Sequence, residues 1–91
     1  MASPVPSYVT VRKTKFVEDL AWTTARDAAL RRRVELRIEK IGSNPKHHGY
    51  HAGDLLRCNW VAGVGDWAII YEIDEVKLVV KLLRFLALDD L

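Results

Sequence analysis

Cysteine is almost absent from this chain of 91 residues, with Cys58 standing alone. One thiol closes no internal disulfide and lacks the companion cysteines of a thiolate zinc site, which points to a reducing compartment. Long apolar runs are missing too. The longest, Trp67 to Tyr71, falls far short of the roughly 20 residues that cross a bilayer. The opening MASPVPSY has no charged segment followed by an apolar one, as an export signal would. These absences predict a cytoplasmic protein, neither secreted nor membrane-spanning. Glycine and proline number only 5 and 3 while 49% of residues are hydrophobic, which excludes a disordered or collagen-like chain. At 10.4 kDa there is room for one domain over residues 1–91, with 1–7 expected to be loose, and a separate cofactor module is excluded. A domain this small buries a modest share of its surface, so a partner that covers apolar area would stabilise it.

A large net charge is also lacking, but the overall +2 hides an asymmetry. Residues 1–46 hold 10 Lys and Arg against 5 Asp and Glu, whereas residues 47–91 hold 4 against 7. A basic first half suggests a surface for a polyanion or an acidic partner.

The pattern of apolar residues predicts the elements. Alternation from Tyr8 to Arg12 puts Val9 and Val11 on one face of a strand. Thr14 is placed to cap a short helix carrying Phe16 and Leu20, and Thr24 with Asp27 forms a capping signal for a longer one. In that longer helix Leu30, Val34, Ile38 and Ile41 make a core stripe, and Gly42 with Asn44-Pro45 stops it. Three β-rich runs follow the polar loop KHHGYHAGD: Leu55 to Ala62, Trp67 to Asp74 and Lys77 to Arg84. Gly63 to Asp66 joins the first two runs and Asp74-Glu75 the last two, the latter as a tight two-residue connection. Ile69, Ile70, Tyr71 and Ile73 read as the central strand. The expected fold class is α+β: an N-terminal strand, two helices, then a three-stranded antiparallel meander packed against the helices.

Several side chains carry chemistry in two alternative readings. Arg26, Arg33, Arg37 and Lys40 share a face of the long helix, with Arg31 and Arg32 beside it. They form either a solvated face laced by Glu35 and Glu39 or a contact surface for RNA, to which Lys46 and His48 of the loop would add. Metal-free RNA cleavage needs a base, a cation for the charged phosphorus and an acid for the leaving oxygen. His47, His48 and His51 lie within one loop and would supply imidazoles near neutral pH, unless they are simply solvated. His51 is the chosen catalytic histidine because it lies nearest the following strand. Arg57 and Arg84 would hold phosphate or act as edge charges. Asp66 would orient a histidine or serve as a turn residue. Trp60 and Trp67 would stack a base or fill the core. Cys58 is expected to be buried in a strand. Neighbouring loop histidines do not converge on one ion and no fourth ligand is evident, so no metal and no cofactor is expected.

The stretch WVAGVGDWAIIYEI, from Trp60 to Ile73, resembles the signature region of the RelE/ParE toxin superfamily, where VGDYR-IIYEI is a recurring form. The order of elements and the helix end before Asn44-Pro45 are similar as well, so the resemblance covers nearly all of the chain after residue 7. Asp66-Trp67 also looks like the DW-LIY form of the YafQ branch, whose loop histidine His51 would match. The resemblance implies a RelE-like fold and a cognate antitoxin as partner, in an assembly such as a heterotetramer. It further implies the ribosome and mRNA as targets, with ribosome-dependent mRNA cleavage as the activity. Taken with the reading of the residues above, the candidate catalytic set is His51, Asp66, Arg57 and Arg84, and no membrane is expected to be involved. Yet members of the family commonly carry arginine at the positions of Val61, Gly63 and Ala68, and a YafQ-type C-terminal histidine would fall near Leu88. The alternative expectation is therefore a ParE-like inhibitor of gyrase, or a catalytically degenerate member that acts mainly by binding its antitoxin.

Overall fold

The structure, a computed structural model, describes residues 7–51 and 59–91. Strand β1 (Val9–Arg12) leads into helices α1 (Thr14–Thr23) and α2 (Ala28–Ser43), and four strands follow: β2 (Tyr50–His51), β3 (Trp60–Val64), β4 (Trp67–Asp74) and β5 (Val79–Ala87). A single 3-10 turn, Leu88–Asp90, comes last. The strands form one sheet in the order β1-β5-β4-β3-β2, so β4 is central, as its apolar run requires. This is the expected α+β class. No helix among the described residues is long and apolar enough to cross a membrane.

The β3–β4–β5 meander is antiparallel as expected, and β1 joins it in parallel to β5, with Val9 opposite Val79 and Leu82 opposite Arg12, so the sheet as a whole is mixed. The two helices and the strands β2 to β4 all lie between β1 and β5, a connection long enough to bring the chain back for a parallel pairing. Three local expectations are corrected. Helix α2 begins four residues after Thr24. Its cap is Asp27, whose carboxylate accepts the Leu30 N–H at 2.9 Å, while the Thr24 hydroxyl donates to the Leu20 carbonyl at 2.6 Å and closes α1 instead. Arg26 consequently lies in the turn between the helices and not on α2. The β3–β4 hairpin turns on Gly65-Asp66 alone, since the strand runs on to Val64 and Gly65 takes a left-handed φ of 59° that suits a residue without Cβ. The β4–β5 connection is four residues rather than two. There the Asp74 carboxylate accepts the N–H groups of Val76 and Lys77 at 3.1 and 3.0 Å, and Leu78 carries the positive φ. The run expected from Leu55 lies partly outside the described residues, as do Arg57 and Cys58.

Both helices cover one face of the sheet. Phe16 and Leu20 of α1, with Leu30, Val34, Ile38 and Ile41 of α2, pack on Ala62, Val64, Ile69, Tyr71, Val80, Leu82 and Phe85. The helical spacing of 4 and 3 and the strand spacing of 2 each aim one stripe inward, which is why the sequence pattern finds this core. Each of the Val, Leu, Ile and Phe side chains among them contributes about 1.5–3 kcal/mol by leaving water. Phe16 meets Phe85 edge-on at 6.4 Å, and Trp67 stacks on the other side of Phe85 at 5.4 Å.

The one fully buried phenol sits in the middle of this face. Tyr71 Oη donates to the Pro45 carbonyl at 2.6 Å, tying the segment after α2 to the central strand. Gly49 passes directly over it: a Cβ there would fall 2.0 Å from Tyr71 Oη, so the crossing needs glycine. Tyr71→Phe keeps the ring and removes the one donor that the described residues bring to the buried Pro45 carbonyl. The variant should unfold with about 1–3 kcal/mol less free energy at unchanged denaturant slope, as urea titration would show.

Candidate functional site

On helix α2, Glu35 and Glu39 line one groove while Arg33, Arg37 and Lys40 line another. Glu35 receives the Arg12 guanidinium of β1, with Nη1 to Oε2 at 2.8 Å and a second, closer contact from Nη2, and Arg31 approaches at 3.5 Å. The Arg12 hydrogen bond, against the opposing effect of burial, holds the Glu35 carboxyl below its ordinary range. Glu35 therefore does not lace the row Arg33, Arg37 and Lys40, and among the described residues none of those three enters an ion pair. With Leu36, Val64 and Gly65 they line a shallow groove of about 190 Å³. Gly65 of the β3–β4 hairpin lets Arg33 lie close, since a Cβ there would stand 3.2 Å from its guanidinium.

The loop histidines divide into two settings. His47 and His48 meet edge-on at 4.9 Å. Burial first, then the charges of His47, Arg37 and Lys40, push the His48 imidazole below its usual value. His51 belongs to β2 rather than to the loop, and its ring lies edge-on to Trp60 at 5.4 Å. It lines a different concavity, shared with Lys46, Glu72, Asp74 and Glu75. Lys46 is ion-paired to Glu75, and that hydrogen bond raises its pKa. The phenol that positions the loop, Tyr71, is pushed up to about 12 by burial, against the charge of Arg37, and so stays protonated as a donor.

Of the expected catalytic residues, His51, Asp66 and Arg84 are described, and these three are not gathered in one place. Asp66 is an exposed turn residue whose carbonyl accepts the Leu88 N–H at 2.9 Å. It sits beyond Val64 while His51 pairs with Trp60, so the length of β3, roughly 13 Å at 3.3 Å per residue, separates them. Arg84 is committed to Asp19 of α1 through Nε at 2.7 Å and Nη2 at 3.2 Å. The same carboxylate accepts the Phe85 N–H at 3.0 Å, capping the edge of β5 that lies past the end of β1. Arg57 lies outside the described residues. Trp60 and Trp67 are half-buried against Tyr71 and Phe85 and support the core. Nothing in the sequence pointed to Asp19 or Glu35 as partners, because 65 and 23 residues separate each from its arginine.

Val61, Gly63 and Ala68 share the sheet face turned away from the helices, with Val61 opposite Ile70 and Gly63 opposite Ala68. Val61, Ala68 and Ile70 are buried there, and among the described residues no atom lies within 4 Å of where a Gly63 Cβ would point. The positions where arginine was expected thus form a contiguous uncharged strip.

No family model and no curated protein matches the sequence. Among solved structures, the chain is similar to a chain of the RelBE2 toxin–antitoxin complex of Mycobacterium tuberculosis, with a TM-score of 0.76 and 23% identity over 90% of this chain and 99% of that one. It is similar also to a chain of the archaeal RelE–RelB complex of Pyrococcus horikoshii OT3, with a TM-score of 0.68 and 19% identity over 90% of this chain and 96% of that one. The fold is therefore RelE-like, as the signature region implied.

The Asp19–Arg84 pair makes a pH-dependent contribution to stability. Burial disfavours the Asp19 anion, but the Arg84 hydrogen bond, the Phe85 N–H and the charges of Arg84 and Lys15 outweigh it and lower the pKa. A lowered folded pKa stabilises above the unfolded value of about 3.9 and loses that stabilisation as pH falls through the folded one. Asp19→Asn should be less stable than the parent at neutral pH, with the gap closing as pH falls below about 4. Urea midpoints measured across that range check it, and a gap independent of pH would contradict the assignment.

Proposed function

We propose that this protein is the toxin of a type II toxin–antitoxin pair and cleaves mRNA on the ribosome. The observation that carries the reading is the row Arg33, Arg37 and Lys40, which enters no ion pair among the described residues, with the charges of Arg37 and Lys40 acting on His48, on a RelE-like fold. RNA phosphates would lie along the row, which stabilises the charge that builds on phosphorus. His48 takes the proton of the 2′-hydroxyl, the 2′-oxygen attacks phosphorus, and the 5′-oxygen leaves with a proton from an imidazolium, for which His47 is adjacent. His51 is the competing base, approached from the concavity beside Trp60. Arg84 would act on phosphate only after leaving Asp19, and Lys46 only after leaving Glu75. The cognate antitoxin, in an assembly such as a heterotetramer, is the partner that this reading requires.

A second reading rests on the uncharged strip of Val61, Gly63 and Ala68. A protein without those cations would act by binding, as a ParE-like inhibitor of gyrase or through its antitoxin alone. Expression in bacteria separates the two. Growth arrest with cut messages and no DNA-damage response supports cleavage, whereas DNA damage with intact messages supports gyrase.

The cation row predicts a salt signature. Each phosphate contact to a single strand adds about 0.7 to the slope of log affinity against log salt. Replacing Arg33, Arg37 and Lys40 together by alanine should weaken RNA binding and flatten that slope by about 2, measured by fluorescence anisotropy. Equal slopes would remove the row from the interface. His48→Ala and His51→Ala, compared in ribosome-bound cleavage, should identify the base, with loss expected for His48.

A further inference from the structure

Trp22 has no role in the core: it stands at the C-terminal end of α1 with 86% of its surface exposed, although α1 buries Phe16 and Leu20 on its other side. Its indole walls a groove of about 470 Å³ between α1 and the end of β5. The floor is aromatic, with Trp67 lying flat on Phe85 at an interplanar angle of 16°. The rim is acidic, formed by Glu18, Asp19 and Asp90. Arg84 pairs with Asp19 from below and Lys15 lies near it, while Glu18 and Asp90 enter no ion pair among the described residues. The basic row of α2 belongs to another groove and shares no lining residue with this one.

We infer that this groove docks a segment of a partner protein that presents arginine among apolar residues. A guanidinium lies flat on an exposed indole and its fork of donors matches carboxylates, so one side chain satisfies both the Trp22 face and the acidic rim. The apolar neighbours of that arginine would cover Trp67 and Phe85, and the volume falls within the usual range of about 300–1,000 Å³ for a ligand cleft. The carboxylates repel RNA and anionic lipid, which leaves a cationic peptide as the occupant the charge selects. This surface lies apart from the cation row and its assignment does not depend on RNA cleavage.

A short synthetic peptide of alternating arginine, leucine and serine is the probe, titrated into the intact protein by calorimetry and by NMR of the three indole N–H signals. Binding should shift the Trp22 signal, weaken about tenfold or more in Trp22→Ala, and weaken with added salt and in the Glu18→Gln, Asp90→Asn double variant. Trp22 is exposed, so its variant should keep the parent's circular dichroism and unfolding midpoint. A peptide with glutamate in place of arginine should not bind. The inference is overturned if Trp22→Ala binds as tightly as the parent, if the glutamate peptide binds equally, or if the peptide binds while the Trp22 indole signal stays in place. Self-association that vanishes in Trp22→Ala without any peptide would also overturn it, by making a second copy the occupant.

Discussion

A hydrogen bond from the Tyr71 hydroxyl to the Pro45 carbonyl holds the two halves of this protein in register. Tyr71 lies on the central strand, Pro45 directly after α2, and both are buried. In an apolar interior an unmet carbonyl is costly, so the segment from Pro45 to Gly49 has little freedom to settle elsewhere. Gly49 tightens the constraint because only a residue without Cβ passes over the phenol. His47 and His48 are carried by that segment, and their position against Arg37 and Lys40 follows from it. The geometry proposed for RNA is thus set by a polar contact inside the core rather than by the surface residues themselves.

Charge is sorted by the same economy. Two carboxylates, Glu35 and Asp19, each reach an arginine on a strand that is distant in sequence, and each does so at the rim of the sheet. Glu35 joins α2 to β1, and Asp19 joins α1 to the part of β5 that β1 leaves uncovered. Pairs of this exposure contribute modestly to stability, yet they decide which cations remain available. Arg33, Arg37 and Lys40 enter no ion pair among the described residues, whereas Arg84 is held by Asp19. The result is a molecule with a basic groove beside α2 and an acid-rimmed aromatic groove beside α1.

Much of the fold was legible before any coordinates. Spacing alone identified the buried residues of both helices, the central strand and the α+β class, and the signature region pointed to the RelE-like fold that the solved structures share. The misplacements were local or concerned pairing. Thr24 and Asp27 both suit a helix start, and only the competing use of Thr24 at the end of α1 decides between them. Asp74-Glu75 looks like a two-residue turn until the Asp74 carboxylate gathers the next N–H groups into a longer one. The site was less legible. His47, His48 and His51 are close in sequence, but a strand begins between them, and His51 is turned toward Trp60.

From its residues alone this chain was bound to place helices against a sheet, because apolar periods of 3.6 and 2 residues admit few other ways of leaving water. Its basic helix was equally evident. What tertiary structure decided was the direction of β1 beside β5, the fate of each charge, and the separation of His51 from Asp66. Those depend on residues brought together across tens of positions, where periodicity carries no information and only the closed fold sets the distance.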